Sequence, residues 1–282
     1  MSVWDTVTTT DDLDERQKAA QVPFIGQEHI KAQVGPFLQE ERMPHVLLTG
    51  DPGMGKTQFA KWLAHARGKP FFEKMAPVKA THLPPYGVIL IDEVHRQRHP
   101  ETLFPVMDQG LLTFVTATTK PEKLDSAFRS RFLLTLRLRH YSLAEMQTMI
   151  TTMAGTPRIA KRQLEVLAHA AGGHPRTAEK IVRTATALDS FEPAVVLKAV
   201  QITADGLTVD HFDYLKALAD ASKPMGMSQL ATSAYLTEED AQRAERTLVS
   251  KGYVELTASG RALTLRGGQY VEKLKEDGIW DD

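Results

Sequence analysis

Cysteine is absent from all 282 residues. That excludes disulfides and thiolate metal sites, and it makes a reducing, cytoplasmic setting natural. No apolar run approaches the ~20 residues a membrane-spanning helix needs. The opening stretch MSVWDTVTTTDDLDER has neither a basic start nor an apolar segment, so a secretory signal is not expected. Excess charge is lacking as well. The net charge is −1, so bulk electrostatics give no sign of nucleic-acid binding, and any DNA contact must use a local patch.

The remaining composition is that of an ordinary globular protein, and the length suggests two or three domains. Residues 1–16 are polar and acidic, and are expected to be flexible. From Pro23 to Arg139, short apolar runs alternate with helical stretches. Residues 45–49, 87–91, 112–117 and 132–138 are expected as strands. Apolar strands separated by helices imply an α/β fold with a parallel sheet covered on both faces. From Ser142 to about Ala204 the pattern is all helix. It opens on a capping box of Ser142 with Glu145, is broken at Gly172-Gly173, and resumes at Pro175. Asp205-Gly206 reads as a turn into a further unit. There, helices are expected over residues 209–221, 227–234 and 238–250, followed by a hairpin over 252–265 with Ser259-Gly260 in its turn. Three helices and a hairpin outline a winged helix.

The strongest chemical signal is Gly50-Asp51-Pro52-Gly53-Met54-Gly55-Lys56-Thr57, which fits GxxxxGK[ST] between a strand and a helix. Gly50, Gly53 and Gly55 let backbone N–H groups wrap a phosphate, and the helix N-terminus adds partial positive charge. Lys56 is placed to reach the β- and γ-phosphates of ATP, and Thr57 to ligate Mg²⁺. Gln58 follows within reach of the same nucleotide. Asp92-Glu93 ends the apolar strand GVILI, where a carboxylate faces the crevice shared with the phosphate loop. Asp92 would hold the metal, and Glu93 would orient and deprotonate the attacking water. Thr118-Thr119 end the next strand. A threonine there is usually a turn residue, but this pair lies between the acidic strand end and Arg129-Ser130-Arg131. Those arginines could be a solvated face or could serve a neighbouring subunit's phosphate.

Taken together, these residues resemble AAA+ ATPases and, among them, the RuvB family of Holliday-junction branch-migration motors. The words that carry the resemblance are Phe24-Ile25-Gly26-Gln27, the phosphate loop, Asp92-Glu93-Val94-His95-Arg96, Ala117-Thr118-Thr119 and Phe128-Arg129-Ser130-Arg131-Phe132. The Glu-Val-His-Arg word is more specific than the loop. The resemblance implies three parts after the flexible residues 1–16: an ATPase domain over 17–140, a helical lid over 141–205 and a C-terminal winged helix over 206–282. It also implies that Phe24 and Ile25 lie by the adenine, that Thr119 is sensor 1, that Arg131 is a finger acting in trans, and that Tyr141 contacts the nucleotide. For sensor 2, Gly155-Thr156-Pro157-Arg158 is the better literal match. Its spacing leaves no room for the second lid helix, so Arg176 in Gly172-Gly173-His174-Pro175-Arg176 is preferred.

The sequence also departs from the family pattern. The family's β-hairpin ahead of sensor 1, which meets the partner RuvA, is missing or reduced to a turn at Met107-Asp108-Gln109-Gly110. Leu256 and Ser259 occupy basic positions of the wing, leaving Arg261 and Arg266 as candidate DNA contacts. The expected function is an ATP-driven translocase on double-stranded DNA or a Holliday junction, working as a homo-oligomeric, hexameric ring, with a RuvA-like partner in doubt. The alternative is a clamp- or helicase-loader subunit acting on a protein client.

Overall fold

The computed structural model describes residues 24–155 and 159–276. The expected flexible segment 1–16 and Arg158 of the rejected sensor-2 word lie outside them. Contacts gather the chain into two units. The first takes in residues 24–155 with Ala171–Val182, and the second residues 159–170 with those from Arg183 onward.

The first unit is built on five strands: β1 (Val46–Thr49), β2 (Phe71–Met75), β3 (Gly87–Asp92), β4 (Leu112–Thr118) and β5 (Leu134–Arg137). Their order is β2-β3-β4-β1-β5, and every neighbouring pair is parallel. All of β4 is buried, and so is β3 apart from Asp92, as a parallel sheet covered on both faces requires. Nothing in the sequence pattern marked β2. It is an edge strand with no buried residue, and Glu73 and Lys74 interrupt its apolar run.

Helices α1 (Glu28–Val34), α2 (Lys56–Ala66), α3 (Phe104–Gln109) and α4 (Ser126–Arg129) belong to the same unit. Phe59, Ala60, Leu63 and Ala64 form the buried stripe of α2, the spacing of one face of a 3.6-residue helix. A separate core gathers Leu47, Ile89, Ile91, Phe114, Met107 and Phe128. No strand lies between β3 and β4 among the described residues. That connection consists of 3₁₀ turns and α3, and Gly110 then ends α3 in the left-handed region and leads to β4.

The expected helical stretch contains α5 (Leu143–Ala154), α6 (Lys161–Ala170), α7 (Pro175–Ala187) and α8 (Pro193–Val200). Ser142 and Glu145 form the expected capping box, and Pro175 is the first residue of α7. The second unit then holds α9 (Val209–Ala219), α10 (Met227–Ser233), α11 (Glu238–Ser250), the antiparallel hairpin β6 (Val254–Thr257) and β7 (Gly260–Leu263), and α12 (Leu265–Glu276). Leu207, Tyr214, Leu215, Leu230, Leu248 and Val271 are among its core residues.

Two details differ from expectation. Thr257 pairs with Gly260, so the hairpin turn is Ala258-Ser259 and Gly260 opens β7. Helix α12 was not anticipated, and it carries Gly267-Gly268 near its start. Gly267 is there for closeness: a Cβ on it would stand 2.0 Å from the Tyr253 carbonyl oxygen. Asp205 is tied into this unit as well. Its carboxylate accepts from Thr203 Oγ1 at 2.6 Å, Tyr270 Oη at 3.0 Å and Tyr253 Oη at 3.4 Å, with Lys251 Nζ at 3.7 Å.

Candidate functional site

β1 ends at Thr49 and the chain turns at once into the glycine-rich loop that precedes α2. Lys56, the first residue of α2, is buried, and its Nζ donates to the carbonyls of Gly50 and Asp51 at 3.0 Å each. Burial pushes its pKa below the ordinary lysine value, opposed by the charges of Asp92, Glu93 and Asp51, while Arg176 lowers it further. Lys56 thus feels the charges of three carboxylates and a guanidinium.

Arg176 lies directly on that loop. Gly53 has φ +78°, and a Cβ built on it would come within 3.0 Å of Arg176 Cβ and 3.5 Å of Arg176 Nε. Gly53 is needed here both for its left-handed backbone and for the space. Tyr141 is buried alongside, and its hydroxyl donates to the Met54 carbonyl at 3.3 Å. Burial pushes its pKa up to about 12, so it stays a neutral hydrogen-bonding group. A Cβ on Gly55 would meet Tyr141 Oη at 3.4 Å, Gln58 Cβ at 4.0 Å and Phe24 at 4.0 Å. Phe24 is buried with its ring edge-on to Phe59 at 5.6 Å, and Ile25 beside it is half-buried.

At the end of β3, Asp92 Oδ1 accepts the Glu93 N–H at 2.9 Å, and Glu93 itself has φ 50°. Thr57 Oγ1 donates to Glu73 Oε1 at 3.4 Å. Among the described residues, no three His, Asp or Glu side chains gather as a metal cage.

Thr119 follows β4 half-buried, next to the fully buried Thr118. Arg131 is directed elsewhere. Its guanidinium pairs with Asp108 and lies 4.4 Å from the Phe104 ring centroid, both on α3. The two candidate DNA contacts have partners inside the second unit. Arg261 is in β7 rather than at the wing tip, and its Nε donates to Glu245 Oε2 at 2.6 Å. Glu245 also takes the Tyr214 hydroxyl at 2.9 Å. Arg266 lies 5.2 Å from the Tyr253 ring centroid.

Three residues named in the sequence reading, Gln27, Glu145 and His95, have supporting contacts that it did not give. Gln27 is buried, donates from Nε2 to the Arg139 carbonyl at 2.6 Å and accepts the Arg139 N–H at 3.2 Å. It thereby binds the Phe24-Ile25 segment to the chain beyond β5. Glu145 accepts the Gln27 N–H at 3.2 Å. Burial acts to raise the Glu145 carboxyl, but bonds from Ser142 and Gln27 outweigh it and hold the pKa below the ordinary value. His95 lies against both Glu93 and Thr118. Its place in the Glu-Val-His-Arg word was the available signal, but that word says nothing of what the imidazole touches.

Comparison with known proteins gives a consistent result. Residues 17–112 match the Holliday junction DNA helicase RuvB P-loop domain, and residues 204–272 the RuvB C-terminal winged helix domain. The Holliday junction branch migration complex subunit RuvB of a Nitratiruptor species is 31% identical over 317 aligned positions, spanning 94% of this chain and 91% of that protein. The Thermotoga maritima RuvB Holliday junction branch migration motor superimposes with a TM-score of 0.75 at 27% identity, over 88% of this chain and 95% of that one. The chain belongs to the RuvB family of AAA+ P-loop ATPases.

Proposed function

We propose that this protein hydrolyses ATP and uses the energy to move double-stranded DNA, driving branch migration of Holliday junctions as a hexameric ring. The observation that carries the reading is the convergence on one loop of buried Lys56, the Asp92-Glu93 strand end and Arg176 against Gly53. In this reading residues 17–140 form the ATPase part, 141–205 the lid and 206–282 the DNA-facing winged helix.

The loop amides and Lys56 bind the phosphates, and Phe24, Ile25, Gln58 and Tyr141 hold the rest of the nucleotide. Thr57 and Asp92 hold Mg²⁺, which when bound offsets charge on the phosphate oxygens. Glu93 takes the proton of the attacking water. Thr119 and Arg176 report the γ-phosphate to the sheet and to α7. Arg131, which pairs with Asp108 and covers Phe104 of α3, serves a neighbouring subunit. That no strand lies between β3 and β4 among the described residues supports the reading that the hairpin its family offers to RuvA is missing or reduced to a turn here.

The test is a branch-migration assay on a synthetic junction. ATP-dependent migration by this chain alone, abolished in Lys56→Ala, is expected. ATP turnover that rises with a protein client but not with duplex DNA would overturn the motor reading in favour of a loader.

A further inference from the structure

The imidazole of His95 is nearly buried between two functional segments. Its Nδ1 lies 2.9 Å from Thr118 Oγ1 and 3.3 Å from Glu93 Oε2. The Thr118 hydroxyl oxygen also accepts the Lys120 N–H at 3.0 Å. Nδ1 carries one proton in either the neutral Nδ1–H form or the cation, and none in the other tautomer. A bare Nδ1 would set its lone pair against the Glu93 carboxylate, so the arrangement calls for the Nδ1–H form. One N–H then faces two acceptors. Thr118 closes β4 and is in register with Thr49, the residue that leads into the phosphate loop, and Thr119 comes next in the chain.

We propose that His95 is a positioning residue that fixes the Glu93 carboxylate to the end of β4 through this shared N–H. Glu93 needs such a restraint, because it sits on a left-handed residue beyond the strand end, with its side chain 24% exposed. By itself the carboxylate would sample orientations that do not face the attacking water, and a misplaced base loses rate without losing substrate. Thr118 supplies the fixed end: it is fully buried, in a strand buried along its whole length. The link carries any displacement of the β4 end to the carboxylate, with no change of charge required.

The inference rests on Glu93 being the base, and the experiment separates the two. Steady-state hydrolysis and binding of a fluorescent ATP analogue are measured for His95→Ala, His95→Asn, Thr118→Val, Thr118→Ser, the His95→Ala/Thr118→Val double variant and Glu93→Gln. His95→Ala and Thr118→Val are each expected to lower kcat about tenfold, a fraction of the ~10² to 10⁴ a positioned base supplies. KM and analogue affinity should stay within about twofold, and the double variant should fall no further than the worse single one, as coupled residues do. Asparagine places an N–H where Nδ1 was, and serine keeps the hydroxyl, so both conservative variants should recover most of kcat. Unchanged kcat in His95→Ala or Thr118→Val, additive losses, or parallel losses of kcat and nucleotide affinity overturn the proposal. Near-normal turnover in Glu93→Gln removes the base itself, and the proposal with it. An inactive Glu93→Gln beside normal His95 and Thr118 variants leaves the base standing and the link refuted.

Discussion

Hydrolysis should be separable from binding at single residues. In the proposed reading the phosphate is held by Lys56, which donates to the carbonyls of Gly50 and Asp51, and by Arg176 against Gly53, while Glu93 acts on the water. Glu93→Gln keeps the size of the side chain and removes its basicity. Analogue binding should be unchanged, and phosphate release should fall at least ~10²-fold. Turnover near the wild-type rate would take Glu93 out of the base role. Lys56 behaves differently, because its buried amine is set among Asp92, Glu93 and Asp51. Its loss should abolish binding and hydrolysis together.

Elements of the second unit are held by polar pairs as well as by the core around Tyr214 and Leu248. The Arg261–Glu245 pair ties β7 to α11, and Glu245 is 12% exposed. Arg261→Ala leaves that carboxylate short of a charged donor and should cost about 2 kcal/mol in urea unfolding, the scale of a lost charged hydrogen bond. A change in duplex affinity with no change in stability would instead restore Arg261 as a phosphate contact. Asp205 ties the turn before α9 to Tyr253, the residue ahead of β6, and to Tyr270 of α12. Burial acts to raise its carboxyl, but the Thr203 hydroxyl, Lys251 and Tyr270 outweigh it, so its pKa is held below the ordinary aspartate value. A folded-state pKa below the unfolded one means the unfolded chain binds the proton more readily. The stabilisation from Asp205 is therefore complete above the unfolded value and is lost as pH falls through the folded one. Denaturant unfolding from neutral pH to about pH 3 should show a smaller acid loss in Asp205→Asn than in wild type. Equal losses would remove Asp205 as a contributor.

Across the whole molecule, Arg131 poses the question of assembly. It pairs with Asp108 and covers Phe104. Arg131→Ala should bind nucleotide yet lose about 10³-fold in hydrolysis, the scale of an arginine finger. Mixing it with Lys56→Ala should restore part of the activity, because some interfaces then join an intact loop to an intact finger. Confirmed mixed oligomers without recovery would place Arg131 outside a trans role. No helix among the described residues is long and apolar enough to cross a membrane.

The sequence by itself determined whatever depends on short-range pattern. The phosphate loop, the acidic strand end, the buried strands β1, β3 and β4, and the Ser142–Glu145 capping box were legible because glycine spacing, apolar runs and side-chain-to-backbone caps act over a few neighbouring residues. Edge strand β2 and helix α12 were not, since an edge strand needs no apolar run and the glycine at 267 answers to the distant Tyr253 carbonyl. Only the tertiary structure decided which partners meet. It brought Arg176 onto Gly53 and bound Gln27 to Arg139, drew Arg261 to Glu245, and set His95 between Glu93 and Thr118. Each of these joins residues far apart in the chain or fixes one side-chain direction among several, and local pattern carries no information about which acceptor a buried donor finds once the backbone has closed around it.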